Sequence, residues 1–139
     1  MTRLAAVLAA VTLAVCVRSA TAAEAPHWTP GLWVDEDTVE LRTQRPGEEP
    51  HWFKVWVAVI DDQLYVRLGR RASERIEHNT AAPEVAVRIA GQEFDHVRVE
   101  NAPQMADRVN AELAEKYWTD VLVRFVSHPL TVRLVPATR

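Results

Sequence analysis

The chain has 139 residues, 16 basic and 19 acidic side chains and one cysteine, so its formal charge is −3. A net acidic chain is a poor candidate for nucleic-acid binding, which needs a basic face, so we expect no nucleic-acid partner. One cysteine cannot form an intrachain disulfide or a metal site made of several cysteines. A chain of this length buries one ordinary hydrophobic core, so we expect a single domain.

Residues 1–22 have the pattern of a cleavable secretory signal. Arg3 precedes 14 uncharged residues, Leu4 to Val17, and Ala20-Thr21-Ala22 fits the small-residue cleavage pattern. The apolar run is shorter than the roughly 20 residues of a membrane-spanning helix, so cleavage is favoured over a retained anchor. We therefore expect a periplasmic or secreted protein with no membrane span after cleavage.

Lipid attachment at Cys16 is a less favoured alternative. Leu13-Ala14-Val15-Cys16 resembles a lipobox, but Val15 stands where a lipobox has a small residue. Cleavage near Ala22 would remove Cys16 and two of the 16 basic residues, but none of the 19 acidic ones, leaving a formal charge of −5 on about 117 residues. The predicted division is a signal at 1–22, a lead-in with the first strands at 23–50, and a main domain at 51–139 that forms one unit with residues 31–50.

The mature chain is predicted to be mainly β. Runs of alternating or continuous apolar residues predict strands at residues 32–34, 38–42, 52–60, 63–68, 84–89, 93–100 and 130–135. Ser73 is expected to cap a short helix that ends near Asn79. A longer helix is expected from about residue 101 to 118, with a buried stripe of Met105, Val109, Leu113 and Tyr117. Because the helices do not alternate with the strands, the pattern favours a small antiparallel barrel of about six strands with one short and one longer helix.

Side-chain alternation gives finer expectations for three strands. Both faces of 52–60 should be buried, because the segment is almost all apolar. A tight turn at Asp61-Asp62 should lead to a strand in which Tyr65 and Arg67 face away from Leu64, Val66 and Leu68. In the strand at 93–100, the expected faces are Asp95, Val97 and Val99 on one side and Phe94, His96 and Arg98 on the other.

Arginines are dense between two predicted strands. Arg67, Arg70, Arg71 and Arg75 lie within nine residues, with Ser73 among them. Guanidinium groups make bidentate charged hydrogen bonds to phosphate, and a helix start adds free backbone N–H groups. This cluster predicts a phosphate-binding site; the alternative is a solvated loop balanced by Glu74 and Glu77.

Other chemistry has weaker signals in the sequence. The phosphate-binding, nucleophile-elbow and zinc-helix motifs are absent, and the five histidines have no ligand spacing. Residues 35–37, Asp-Glu-Asp, could bind calcium, but a solvated turn is the preferred interpretation. We therefore expect no metal.

Three segments resemble the flavin-binding split barrels, which include the pyridoxamine phosphate oxidase-like proteins and the deazaflavin-dependent nitroreductases. They are the hairpin from Lys54 to Leu68, the stretch from Arg71 to Asn79, and the strand from Pro83 to Ile89. In these segments Ser73-Glu74-Arg75 stands in the family's Ser-x-Lys/Arg place. The resemblance is greatest to small uncharacterised members of the superfamily.

The resemblance implies a homodimer that binds flavin mononucleotide (FMN) or a deazaflavin and acts as an oxidoreductase. By this resemblance Arg67, Ser73 and Arg75 hold the phosphate or ribityl chain, and Arg70, Arg71 and Lys54 add charge. Trp56 and Tyr65 line the ring pocket, or else belong to the barrel core or the dimer packing. Two further alternatives remain open: a non-enzymatic module of this fold that holds haem or another small ligand, and a cofactor-free interaction domain.

Overall fold

Six antiparallel strands close into a barrel, and two α-helices pack on it. The structure is a computed structural model that describes residues 24–116 and 130–137. The strands are β1 (Thr38–Thr43), β2 (His51–Ile60), β3 (Gln63–Leu68), β4 (Glu84–Ile89), β5 (Gln92–Asn101) and β6 (Leu130–Pro136). The helices are α1 (Arg70–Glu77) and α2 (Ala106–Lys116), with 3₁₀ turns at Pro30–Leu32 and Pro103–Met105. The predicted fold class is confirmed; the predicted signal, Tyr117 and Trp118 lie outside the described residues.

The strand order around the barrel is β1-β2-β3-β6-β5-β4, and β4 pairs back with β1. The last strand, β6, lies between β3 and β5: Val66 pairs with Val132, and Val99 pairs with Leu134. Every strand therefore has two neighbours, and closure leaves no continuous free edge.

The β2–β3 hairpin forms as predicted. Asp61 and Asp62 have φ angles of 51° and 59°, as in the two-residue turn that matches the twist of a hairpin. The Asp62 carboxylate also accepts a hydrogen bond of 2.9 Å from the backbone N–H of Gly31. The turn thereby holds the N-terminal 3₁₀ turn against one end of the barrel.

Alternation along β3 separates two hydrophobic clusters, as the sequence predicts. Leu64, Val66 and Leu68 are buried in the barrel interior. Tyr65 points outward and packs beneath α2. Because each face of β3 meets apolar side chains, the strand is buried on both sides.

Helix α2 covers the outside of the barrel with the predicted stripe. Val109 and Leu113 are fully buried, and Met105 packs beside them. Fully burying a side chain of this size contributes about 1.5–3 kcal/mol. Lys116 fixes the end of the helix by donating a hydrogen bond of 2.8 Å to the carbonyl of Glu36.

The predicted strand at 32–34 is wrong. Pro30 begins a 3₁₀ turn, and Trp33 follows it into the barrel end, where only 3% of the residue is exposed. The rings of Trp28 and Phe94 meet Trp33 edge to face, with centroids 5.1 and 5.6 Å away. Burial of one large aromatic ring overrides the short alternating pattern, and this aromatic group closes the barrel end.

The faces predicted for the strand at 93–100 are partly wrong because β5 contains an irregularity. Val85 pairs with Val97, but Val87 pairs with Phe94, so β5 has one residue more than β4 between these pairs. Phe94 and Val97 consequently both pack on the barrel core, while Asp95 is exposed. Val97 and Val99 do share the core-facing side.

The expectation that β2 is buried on both faces fails for its first half. His51 and Lys54 are exposed, and complete burial begins at Val57. Trp52 lies on the outer face, with the guanidinium carbon of Arg88 4.1 Å from its ring centroid. Trp52 therefore makes a cation–π contact on the surface. A count of apolar residues along the strand does not distinguish this role from packing in the core.

An ion-pair network lies on the outer face of β5 and β6. The carboxylate of Glu100 accepts hydrogen bonds from Arg133 at 2.6 Å and from Arg98 at 2.7 Å. These two bonds, of which the one from Arg133 has the larger effect, hold the pKa of the Glu100 carboxyl below its ordinary value.

In the ranges 24–116 and 130–137, no helix is both long and apolar enough to cross a membrane.

Candidate functional site

Arg67 is set apart from the other arginines of the predicted cluster. It lies on the outer face of β3 under α2, with 8% of the residue exposed. Its Nη1 donates a hydrogen bond of 2.9 Å to the side-chain oxygen of Asn110 on α2. The structure thus places Arg67 between the barrel and α2, although it is close to Arg70 in sequence.

The other three arginines lie on α1, which starts earlier than predicted. Gly69 is the N-cap residue in an extended conformation, and its carbonyl accepts a hydrogen bond of 3.0 Å from the N–H of Ser73. The prediction that Ser73 caps the helix is therefore wrong. Arg70 and Arg71, expected in a loop, occupy the first turn because arginine is a good helix former and Gly69 supplies the chain break.

One side of α1 faces a groove between the helix, the loop after β1 and the start of β2. We call it the basic groove, and its volume is about 450 Å³. Its lining residues are Arg45, His51, Phe53, Arg71, Ala72, Glu74 and Arg75. A volume in this range is typical of small-molecule sites. The topology thus unites three arginines that are up to 30 positions apart in the sequence.

The three guanidinium groups of the basic groove differ in their partners. Arg75 donates from Nε to the hydroxyl of Thr43 at 3.3 Å, and its Nη2 lies 3.7 Å from a carboxylate oxygen of Glu48. The Nε of Arg45 is buried without a hydrogen-bond partner. For Arg71, the described residues provide neither an ion pair nor a hydrogen bond to its side chain.

An unpartnered buried donor is unusual. Leaving such a group unsatisfied costs about 1–3 kcal/mol, and more when it is charged. Arg45 carries that cost in the basic groove, next to two further cations. Three guanidinium groups against one carboxylate, that of Glu74, make the lining of the groove net basic, which favours an anionic ligand.

Two rings of β2 form the less polar part of the groove. His51 and Phe53 point to the same side of the strand, and their ring centroids are 6.3 Å apart at an interplanar angle of 21°. Phe53 also packs against the barrel core. The groove therefore offers a flat aromatic surface beside its cations.

The remaining predicted residues lie elsewhere. Arg70 points to solvent with 84% of its side chain exposed and lies 3.8 Å from Glu74. Lys54 is exposed on the outer face of β2, opposite Glu40 of β1. Trp56 and Tyr65 belong to the cluster under α2, which corresponds to the core-packing alternative for these two residues. Of the predicted set, only Arg71 and Arg75 line the basic groove.

Ser73 faces a different groove on the other side of α1. This second groove has a volume of about 280 Å³ and a mostly apolar lining. Its residues are Leu68, Ser73, Ile76, Glu77, Ala82, Pro83, Val99, Asn101 and Leu130. The helix thus separates Ser73 from the arginines near it in sequence.

Arg45, His51 and Phe53 are groove residues that sequence reasoning did not select. Arg45 immediately precedes Pro46-Gly47, which marks a loop in the sequence, and basic loop residues beside a strand end are a usable signal. Nothing local in the sequence indicates that this loop meets α1.

Comparisons with known proteins identify the fold. No family model and no curated protein matches the chain. A conserved hypothetical protein from Mycobacterium tuberculosis superposes with a TM-score of 0.57 at 17% identity, covering 78% of each chain. HutZ, described as the haem storage protein of Vibrio cholerae, gives a TM-score of 0.56 at 14% identity, covering 78% of this chain and 88% of HutZ.

A third solved structure, an FAD-binding protein from Mesorhizobium loti, has a TM-score of 0.53 at 18% identity. The match covers 78% of this chain and 84% of that one. At these identities the likeness concerns the fold and leaves the ligand open. The chain has the split β-barrel fold, which the resemblance to the flavin-binding split barrels predicts.

Proposed function

We propose that this protein binds a flavin-type cofactor, FMN or a deazaflavin, with the phosphate of the cofactor in the basic groove. The observation that carries the proposal is the convergence of Arg45, Arg71 and Arg75 on one groove, with a buried Nε of Arg45 that has no partner in the described residues. A second support is the fold itself, since one of the similar structures is described as FAD-binding.

The residues of the groove fit such a ligand. Arg71 and Arg75 would make charged hydrogen bonds to phosphate oxygens, and Arg45 would add a third guanidinium group. Phe53 and His51 offer flat faces to an aromatic ring. A bound flavin would supply hydride-transfer chemistry, and an oxidoreductase activity is part of the proposal.

The first experiment measures binding of FMN to the protein that begins after Ala22. Binding would perturb the flavin absorbance near about 450 nm and its fluorescence, and either signal gives a Kd. Arg71→Ala should weaken binding by about ten- to a hundredfold, because one charged hydrogen bond is worth about 1.5–3 kcal/mol.

Arg70→Ala is the matched control for Arg71→Ala. Both residues lie in the first turn of α1, but Arg70 does not line the groove and its side chain is 84% exposed. The control should bind FMN within about twofold of the unaltered protein. Equal losses for the two variants would refute this assignment of the phosphate site.

Haem is the second candidate ligand, favoured by His51. Its imidazole lies in the basic groove, where the arginines could pair with the carboxylates of haem, and HutZ is described as a haem storage protein. Haem titration should then produce a sharpened Soret band that His51→Ala removes. His27→Ala is the control, because His27 is exposed and does not line the groove. Absence of binding by both FMN and haem would refute both candidates and favour an interaction domain.

We also propose that the protein is exported and forms a homodimer. Support for export comes from the pattern of residues 1–22. Mass spectrometry of the protein from the cell envelope or medium should find an N-terminus near Ala23, whereas a lipid-modified Cys16 would refute simple cleavage. Light scattering after gel filtration would distinguish a dimer from a monomer.

A further inference from the structure

The loop between β1 and β2 brings the carboxylate of Glu48 close to Arg75, one of the residues that line the basic groove. Glu48 itself lines a neighbouring groove, together with Arg45 and Glu74. Residues 44–50 form this loop, in which Gly47 has a φ of +76°. The N–H of Glu48 donates to the carbonyl of Arg45 at 3.0 Å, and the side-chain amide of Gln44 donates to the carbonyl of Glu48 at 3.0 Å. These two bonds fix the backbone that presents the Glu48 side chain.

The Glu48 carboxylate lies near the terminal Nη2 of Arg75. Nε of Arg75 is engaged with Thr43, while Nη2 lies 3.7 Å from the Glu48 oxygen. That separation is longer than the 2.7–2.9 Å typical of a charge-assisted hydrogen bond. About half of the Glu48 side chain is exposed, so solvent weakens the attraction further.

A phosphate bound at Arg75 would compete with Glu48 for the same guanidinium group. Phosphate offers up to three acceptor oxygens and nearly two charges, whereas Glu48 offers a single loosely placed carboxylate. The two anions repel each other when both are close to Arg75. Phosphate at Arg75 is therefore expected to displace the carboxylate of Glu48, whose side chain is about half exposed to solvent.

We propose that Glu48 is a built-in competitor that occupies Arg75 and lowers the affinity of the basic groove for anionic ligands until one displaces it. This inference rests on the proposed anion site but not on the identity of the cofactor. Its consequence is that affinity is set by a loop residue that contributes nothing to holding the ligand.

The test uses inorganic phosphate as the probe, with FMN in a parallel series. Glu48→Gln should bind phosphate about two- to fivefold more tightly, the range that corresponds to removing one exposed ion pair. NMR titration of the arginine side chains gives the Kd. Glu49→Gln is the matched control, because Glu49 is the adjacent exposed carboxylate and, among the described residues, it is Glu48 and not Glu49 that pairs with Arg75. It should leave the Kd unchanged.

A double-variant comparison separates competition at Arg75 from a general change in charge. In the Arg75→Ala background, Glu48→Gln should no longer tighten phosphate binding. The inference is overturned if Glu48→Gln binds phosphate no tighter than the unaltered protein, if Glu49→Gln has the same effect, or if phosphate does not bind at all. Phosphate binding with the expected pattern but no FMN binding would refute the proposed flavin while leaving the role of Glu48 established.

Discussion

Asn79 joins three segments, two of which, α1 and the loop after β1, line the basic groove. Its side-chain oxygen accepts a hydrogen bond of 2.8 Å from the N–H of Gln44, and its side-chain nitrogen donates one of 2.7 Å to the carbonyl of Glu84. Only 9% of the residue is exposed. One amide therefore connects the end of α1 to the loop after β1 and to the start of β4.

Asn79→Ala removes both bonds at once. Each neutral hydrogen bond has a net worth of about 1 kcal/mol, and a partner left unsatisfied away from water costs about 1–3 kcal/mol. Gln44 is exposed, so water can replace its lost bond, whereas the carbonyl of Glu84 is partly buried. We therefore expect the free energy of unfolding to fall by about 2–4 kcal/mol, and Tm by about 8–16 °C.

Urea unfolding followed by circular dichroism measures this change. Asn101→Ala is the control, since Asn101 is exposed and its substitution should cost less than about 0.5 kcal/mol. Asn79→Asp keeps an acceptor for Gln44 but places a carboxylate against the carbonyl of Glu84, so it should also destabilise. A loss below about 0.5 kcal/mol for Asn79→Ala would refute the assigned role of this amide.

Substitutions at three further positions test other parts of the structure. Leu113→Ala should lower the free energy of unfolding by about 2–5 kcal/mol, measured by urea unfolding, because it leaves a cavity under α2. Glu100→Gln should lower the urea midpoint at pH 7. Arg133 holds the pKa of Glu100 below its ordinary value of 4.5, so the ion pair stabilises the fold fully above that value. This stabilisation is lost as the pH falls through the folded-state pKa. The urea midpoints of the variant and the unaltered protein should therefore converge in acid. Asp62→Asn should keep or raise Tm, because asparagine tolerates the positive φ and its side-chain oxygen can still accept the hydrogen bond from the N–H of Gly31. Asp62→Gly loses that hydrogen bond.

The strands were predictable where local pattern and tertiary demand agree. The hairpin from His51 to Leu68 has apolar alternation on both sides of a two-residue turn, and the structure contains it within one residue of the expected bounds. The stripe of Val109 and Leu113 follows helical spacing and is buried as expected. In both cases neighbours along the chain determine the contacts.

The errors occur where distant residues decide. Trp33 enters the barrel because its ring packs against those of Trp28 and Phe94. Phe94 faces the core because the pairing of β5 with β4 is irregular. Alternation correctly turned Arg67 away from the barrel core, but no local signal showed that α2 covers that face. Arg45 was not predicted for the same reason. Whether it lines the same groove as Arg71 depends on the tertiary position of the loop after β1.

The position of β6 between β3 and β5 has a consequence for biosynthesis. A ribosome delivers β6 after the other five strands, so β3 and β5 each have an unpaired edge until β6 has emerged. Such long-range pairing also forms slowly. If residues 1–22 direct export, this order of events keeps the precursor open while its leader engages a translocation channel, which threads only unfolded chains. Under the same condition, the precursor would need protection from aggregation until β6 completes the ring.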